Sequence, residues 1–204
     1  EADYCVVGAG AAGCVVVDRL SESGRDQVVV LEAGGPAWHP FIYIPATFLF
    51  LMHNPRFSWV FKMEPEPELG GRAQLIAQGR VLGGSSSING MLFVRGQRAE
   101  YEEWVQKGCT GWGYDDLLPL FKRIEQADGG DDFYRGRTGP MHVTSASEIH
   151  VLTKSFVAAG TELGYPLNTD FNGPEREGVG FVQNNRKGRF RAGSAQTYLA
   201  RAKR

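Results

Sequence analysis

Six residues near the amino terminus, Gly8-Ala9-Gly10-Ala11-Ala12-Gly13, constrain the fold more than any other part of the sequence. They follow a short apolar run, Tyr4-Cys5-Val6-Val7, and lead into Ala11 to Leu20, where charge appears only at Asp18 and Arg19. A second apolar run, Val28-Val29-Val30-Leu31, ends at Glu32, 19 residues beyond Gly13. Strand, glycine turn, helix and strand in that order predict a βαβ unit, with Gly24 as the helix terminator. Both strands read as continuous apolar runs, which predicts a parallel sheet covered on both faces. The three glycines then differ in what they permit. Gly8 allows the tight turn, Gly10 lets backbone approach a pyrophosphate at the helix N-terminus, and Gly13 lets helix and strand pack closely. Glu32 is placed to accept hydrogen bonds from an adenosine ribose. The competing reading is a glycine-rich turn beside a surface carboxylate. The pattern alone does not choose between FAD and NAD, because both carry an ADP half.

Glycine is frequent throughout, 27 of 204 residues, without a collagen-like period. The clusters at Gly34-Gly35, Gly70-Gly71, Gly83-Gly84 and Gly178 to Gly180 suggest backbone held near a ligand or in tight turns. A net charge of -1 gives no electrostatic basis for binding nucleic acid. The stretch from Arg186 to Arg204 holds seven basic residues and no acidic one, which reads as a solvated face. Cys5, Cys14 and Cys109 lack ligand or disulfide spacing and are expected to be buried small hydrophobes, so no metal site is predicted. No apolar run approaches the length of a membrane span, and the expectation is a cytoplasmic or otherwise soluble protein. The first residue is Glu1 rather than Met, which is compatible with a removed leader.

Six prolines punctuate an aromatic-rich stretch from Pro36 to Pro67 that contains Trp38, Phe41, Tyr43, Phe48, Phe50, Phe57, Trp59 and Phe61. So long a connection reads as a lid or binding loop, and the aromatics argue against disorder; a short helix and strand packed as ordinary core is the alternative. Helical spacing is expected over Arg98 to Lys107, with Tyr101, Trp104 and Val105 on one face, and over Asp115 to Gln126, with Leu117, Leu118, Phe121 and Ile124 inward. Ile149 to Leu163 predicts a third helix with Ser147 as N-cap and Gly164 as stop, and a fourth begins near Ser194.

A second glycine segment decides the cofactor. Gly79-Arg80-Val81-Leu82-Gly83-Gly84-Ser85-Ser86-Ser87-Ile88-Asn89-Gly90 joins a diglycine to hydroxyl-bearing residues that can present amides and hydroxyls to phosphate and flavin edges. The run from Gly79 to Glu102 resembles the first signature of the glucose-methanol-choline (GMC) oxidoreductases, including Asn89, Phe93 and Gly96. Landmarks in family order extend the resemblance along the chain, from Asp3 to Gly13 and Leu31 to Gly35 through Asp170-Phe171-Asn172-Gly173 to Tyr198-Leu199. Asn89-Gly90-Met91 and Glu64-Pro65-Glu66-Pro67 resemble the choline-dehydrogenase-like branch.

That resemblance implies an α/β, Rossmann-like FAD-binding domain, incomplete, with a lid insertion and the beginning of a substrate-binding region. The implied segments are a dinucleotide-binding βαβ unit at 1–35, a lid at 36–68, a flavin-contacting segment with helices at 69–140, and further domain elements at 141–204. It implies FAD, with the ADP half on Gly8, Gly10, Ala11, Gly13, Glu32 and Ala33 and the flavin half lined by Arg80, Gly84, Ser85, Asn89, Gly90, Met91 and Leu92. Covalently flavinylated members carry His near the position of Ser87, so noncovalent FAD is expected. The implied chemistry is oxidation of a small-molecule alcohol, in which a His base takes a proton and hydride passes to flavin. The family keeps that His near the carboxyl end of a longer chain, and His39, His53, His142 and His150 match no catalytic position. The expected partner is therefore the remaining carboxyl part, and no turnover is expected from these residues alone. Alternatives are a hydroxynitrile lyase or fatty-acid photodecarboxylase of the same family, a non-catalytic FAD-binding fragment and, most weakly, a nicotinamide-dependent dehydrogenase.

Overall fold

In the computed structural model, which describes residues 1–203, two compact units form, one from residues 1–91 with 188–203 and the other from residues 92–187. The first opens with β1 (Tyr4–Val7), α1 (Ala11–Leu20) and β2 (Val28–Leu31). β1 and β2 pair in parallel from Tyr4 with Val28 to Val7 with Leu31, as a βαβ crossover requires. α1 buries Cys14, Val17 and Asp18. α1 packs on β1 and leaves Val7 81% and Leu31 53% exposed, the bare apolar face that an incomplete doubly wound sheet presents.

The proline- and aromatic-rich stretch folds as α2 (Pro40–Tyr43), a 3-10 turn at Pro45–Thr47 and α3 (Phe48–His53). It continues into β3 (Ser58–Lys62), antiparallel to β4 (Leu75–Gly79). Ile42, Leu51 and Phe57 from this stretch bury themselves with Val81 and Ile88 from the second glycine segment. Each such aliphatic side chain removed from water contributes about 1.5–3 kcal/mol, enough to seat the stretch on that segment. The aromatics divide between the two readings: Phe57 is core, whereas Trp38, Phe41, Phe50, Trp59 and Phe61 are exposed. Residues Ala195–Leu199 form a π-helical turn that passes into α7 (Ala200–Ala202) and packs along α1, where Arg201 reaches buried Asp18 at 3.4 Å.

The second unit contains α4 (Arg98–Gln106), α5 (Tyr114–Ile124), the parallel pair β5 (Glu125–Ala127) and β6 (Met141–Val143), and α6 (Val151–Glu162). Carboxylates satisfy the starts of the first two helices: Gln97 N–H donates to Glu100 at 3.0 Å and Gly113 N–H to Asp116 at 3.1 Å. α6 starts later than the spacing predicts, since His150 Nδ1 rather than Ser147 accepts from Leu152 N–H at 3.2 Å. It stops at Gly164, whose φ of +92° is open to glycine. The helical face of Tyr101, Trp104 and Val105 is only half covered, with Trp104 44% and Val105 37% exposed.

A charged cluster holds this unit together. Glu125, fully buried, accepts from Arg95 at 2.7 Å, from Arg135 Nε at 2.8 Å and from the Gly136 amide at 2.8 Å. Arg135 also reaches Asp170 at 2.7 Å. Burial alone would lower the Arg135 pKa, but the hydrogen bonds it donates to Glu125 and Asp170 outweigh it and hold the guanidinium charged.

Two further expectations are corrected. Cys5 and Cys109 are exposed and only Cys14 is buried, because the strand edge at Cys5 and the turn at Cys109 lack covering elements. The basic stretch after Arg186 is not uniformly solvated: Arg191 is 2% exposed and Arg186 bonds Thr144 and Ser145. No helix among the described residues is long and apolar enough to cross a membrane, and no cluster of three or more His, Cys, Asp or Glu side chains among them is arranged to hold a metal ion.

Candidate functional site

The first glycine turn is shaped by backbone rather than side chains. Gly8 has φ +92°, a conformation that L side chains rarely adopt. A Cβ on Gly13 would stand 1.9 Å from the Gly8 carbonyl oxygen, so α1 approaches β1 at a distance only glycine allows. Gly10 is the N-cap of α1 with an extended backbone, and no side chain caps the helix. The first amides of an α-helix lack intrahelical partners and carry the positive end of the helix dipole. A Cβ on Gly10 would meet nothing within 4 Å beyond its chain neighbours, and Ala11 and Ala12 that follow are exposed, so the turn is open at the start of the helix.

The second glycine segment returns to this turn. Gly83 N–H donates to the Ala9 carbonyl at 2.7 Å, and Leu82 N–H donates to the Gly35 carbonyl at 3.0 Å. A Cβ on Gly84, which has φ +53°, would lie 2.7 Å from Gly10 Cα. A Cβ on Gly34 would lie 2.1 Å from the Arg80 backbone. Three loops separated by many residues therefore meet main chain to main chain at the end of β1 and β2.

Glu32 braces this junction. Its Oε2 accepts from Ala9 N–H and its Oε1 from Gly34 N–H, each at 2.8 Å. Each carboxylate oxygen retains a lone pair for a further donor, such as a sugar hydroxyl. Ala11 and Ala33 are exposed beside it.

The hydroxyls act differently from the sequence expectation. Ser85 Oγ accepts from Gly79 N–H at 3.0 Å and donates to Gln78 at 3.2 Å, Ser86 Oγ donates to the Gly83 carbonyl at 2.6 Å, and Ser87 Oγ donates to the Leu82 carbonyl at 2.7 Å. The three serines thus fix the loop. Arg80 lies with its guanidinium 4.3 Å from the Trp59 ring centroid. Asn89 Oδ1 accepts from Met91 N–H at 3.1 Å, and Met91 is the only non-glycine among the described residues with positive φ, at 62°. Gly90 lies near the Phe48 ring, 3.9 Å from the Cβ position. Leu92 belongs to the second unit, where it is 68% exposed and bridges Asn184.

Sequence reasoning missed Arg191, which donates from Nε to the Ile42 carbonyl at 3.0 Å and from Nη1 to Asn89 Oδ1 at 2.7 Å. Its position in a run of basic residues concealed it, and nothing local in the sequence marks it as buried. The histidines serve elsewhere: His39 Nδ1 accepts from Phe41 N–H at 3.3 Å at the start of α2, and His150 caps α6. Burial, with a smaller contribution from Lys187, lowers the pKa of His142 on β6.

These features suit a dinucleotide such as FAD: an uncapped helix N-terminus facing open space, a glycine approach from a second loop, and a carboxylate with spare acceptor capacity. The sequence matches the GMC oxidoreductase family over residues 2–204. An oxygen-dependent choline dehydrogenase of Vibrio vulnificus is 43% identical over 204 residues, covering 99% of this chain and 36% of that protein. A second, from Brucella anthropi, is 42% identical over 199 residues. The chain thus spans about 36% of the length of these curated relatives. Among solved structures, pyridoxine 4-oxidase from Mesorbium loti superposes with a TM-score of 0.91 at 34% identity, over 98% of this chain and 39% of that one. A formate oxidase superposes with a TM-score of 0.83 at 25% identity, over 95% of this chain and 36% of that one.

Proposed function

This chain belongs to the GMC oxidoreductase family, and from that premise we propose that it forms the FAD-holding part of an enzyme that oxidises a small-molecule alcohol. The observation that carries the reading is the convergence of the two glycine loops, with Gly84 packed against Gly10 and the Gly83 amide bonded to Ala9. In the proposed complex, α1 amides from Ala11 onward hold the pyrophosphate and Gly8, Gly10 and Gly13 leave it room. Glu32 accepts from the adenosine ribose, with Ala33 beside it. Arg80, Gly84, Ser85, Asn89, Gly90 and Met91 line the flavin. FAD supplies the hydride acceptor that no amino-acid side chain can provide.

The binding is noncovalent in this reading. Ser87, at the position where covalently flavinylated relatives carry His, is fully buried and its hydroxyl is committed to Leu82. The exposed aromatics of residues 36–68 act as a lid that limits water at the reacting carbon. No histidine of this chain is assigned as the base, and the proton is taken by a residue outside it, in the carboxyl part of the protein.

The test is to purify the full-length protein, desalt it, and record its absorbance before and after adding primary alcohols without oxygen. Retained flavin bands that bleach with an alcohol, and yellow colour released into the supernatant on acid precipitation, support the proposal. Loss of all flavin on desalting together with quenching by NADH overturns the cofactor assignment. Flavin that stays with the precipitate overturns noncovalent binding.

A further inference from the structure

Arg191 stands in a setting that folding alone does not account for. Its side chain is buried, 2% exposed, and its partners are neutral oxygens: Ile42 O at 3.0 Å, Ser86 O at 3.3 Å and Asn89 Oδ1 at 2.7 Å. Its Nη2 is buried without a hydrogen-bond partner among the described residues. Removal from water pushes its pKa down to about 10. The cluster in the second unit shows the contrast, since buried Arg135 there is matched by Glu125 and Asp170. A buried cation without a carboxylate is unfavourable unless another negative group offsets it.

The contact with Asn89 has a definite chemical sense. Asn89 Oδ1 receives two hydrogen bonds, one from the Arg191 guanidinium and one from the Met91 amide at 3.1 Å. Both partners can only donate, so the carboxamide cannot be turned over. Its Nδ2 end is thereby left as the donor, on a residue exposed at the surface of the first unit. The same oxygen steadies Met91, whose φ of 62° a non-glycine residue adopts only when its surroundings hold it there. Arg191 thus fixes a donor and a bent backbone in the stretch assigned to the flavin, while its bond to Ile42 ties that stretch to α2.

Resting on the FAD reading above, we propose that Arg191 is a positioning residue for the flavin: it orients the Asn89 amide as a hydrogen-bond donor to a flavin acceptor atom, and its uncompensated charge favours the electron-rich reduced cofactor. The reduced flavin, as its anion, would be the negative group this guanidinium otherwise lacks. Removing the charge makes reduction harder, and removing the donor alters the flavin bands.

The experiment uses the full-length flavin-loaded protein and compares Arg191→Met, Arg191→Lys and Asn89→Asp with the unaltered protein by flavin absorbance, midpoint potential and thermal midpoint. Arg191→Met is expected to shift the reduction equilibrium at least tenfold toward oxidised flavin, about 30 mV for a two-electron couple. Arg191→Lys, which keeps the charge, recovers most of that shift. Asn89→Asp keeps an acceptor for Arg191 and adds a carboxylate beside it, so the thermal midpoint should not fall, but it lacks the Nδ2 donor and offsets the guanidinium charge, and it also lowers the potential. If Arg191→Met does not fold, the other two variants decide. Flavin bands and potentials equal to the unaltered protein in Asn89→Asp and in every Arg191 variant that folds overturn the inference alone. Failure of the unaltered protein to hold FAD overturns the parent reading and removes this one with it.

Discussion

Replacing Gly10 by alanine separates a ligand effect from a folding effect. The Cβ would meet no protein atom within 4 Å, and Gly10 has φ -73°, which alanine adopts without strain. Two small terms then act on the unliganded fold. Alanine is a poorer N-cap than glycine, by roughly 0.5–1 kcal/mol. It also restricts the unfolded chain, which stabilises by about 0.4–1 kcal/mol. The terms nearly cancel, so the thermal midpoint of the FAD-free protein should stay within about 2 °C of the unaltered one. The ligand does not escape so lightly, because the methyl group enters the space before the α1 amides. Losing one charge-assisted hydrogen bond there costs about 1.5–3 kcal/mol, which is roughly 10- to 150-fold in Kd for FAD. The assay is fluorescence titration of FAD into deflavinated full-length protein, paired with thermal denaturation of the same preparation. Binding within about threefold of the unaltered protein refutes the placement of the pyrophosphate on this turn. A fall in midpoint of more than about 5 °C refutes the reading of Gly10 as free of packing constraints.

Gly13→Ala should behave in the opposite way. Its Cβ would stand 1.9 Å from the Gly8 carbonyl, and overpacking of about 2–3 kcal/mol exceeds the roughly 1 kcal/mol gained in helix propensity. A lowered thermal midpoint without FAD is the expected result, and an unchanged one would contradict the close approach. Glu125→Ala strands Arg95 and Arg135 in the interior of the second unit, and a loss of about 3–5 kcal/mol is expected in urea denaturation; a loss below about 1 kcal/mol would show that the cluster does not hold that unit. Of the three cysteines, exposed Cys5 and Cys109 should react with a thiol reagent in the native protein. Cys14, whose pKa is pushed up to about 11 by burial, should react only after unfolding, and three equally fast thiols would refute its burial.

The βαβ unit was legible because its signal is local: spacing, glycines and a terminal carboxylate occur within Tyr4 to Glu32. The same proximity in sequence hid what Glu32 does for the fold, since its bonds to Ala9 and Gly34 depend on how two loops meet. The second glycine segment was legible through resemblance, but the inward commitment of Ser85, Ser86 and Ser87 was not, because a hydroxyl can serve a ligand or its own backbone equally well. Arg191 was illegible for a related reason. Its burial arises from contacts with Ile42, Ser86 and Asn89, about 100 to 150 residues earlier in the chain, and charge counting weighs only neighbours.

The junction of Gly8–Gly10, Gly34–Gly35 and Gly79–Gly84 is made of main chain in contact with main chain. An architecture of that kind gives side-chain variation almost nothing to act on: exchanging residues there either leaves the junction as it was or destroys it. On the proposed reading of residues 36–68 as a lid, diversification toward new reactants falls instead on the exposed rings of Trp38, Phe41, Phe50 and Phe61. A library confined to those four positions should retain flavin in most of its members while their preferences among alcohols diverge.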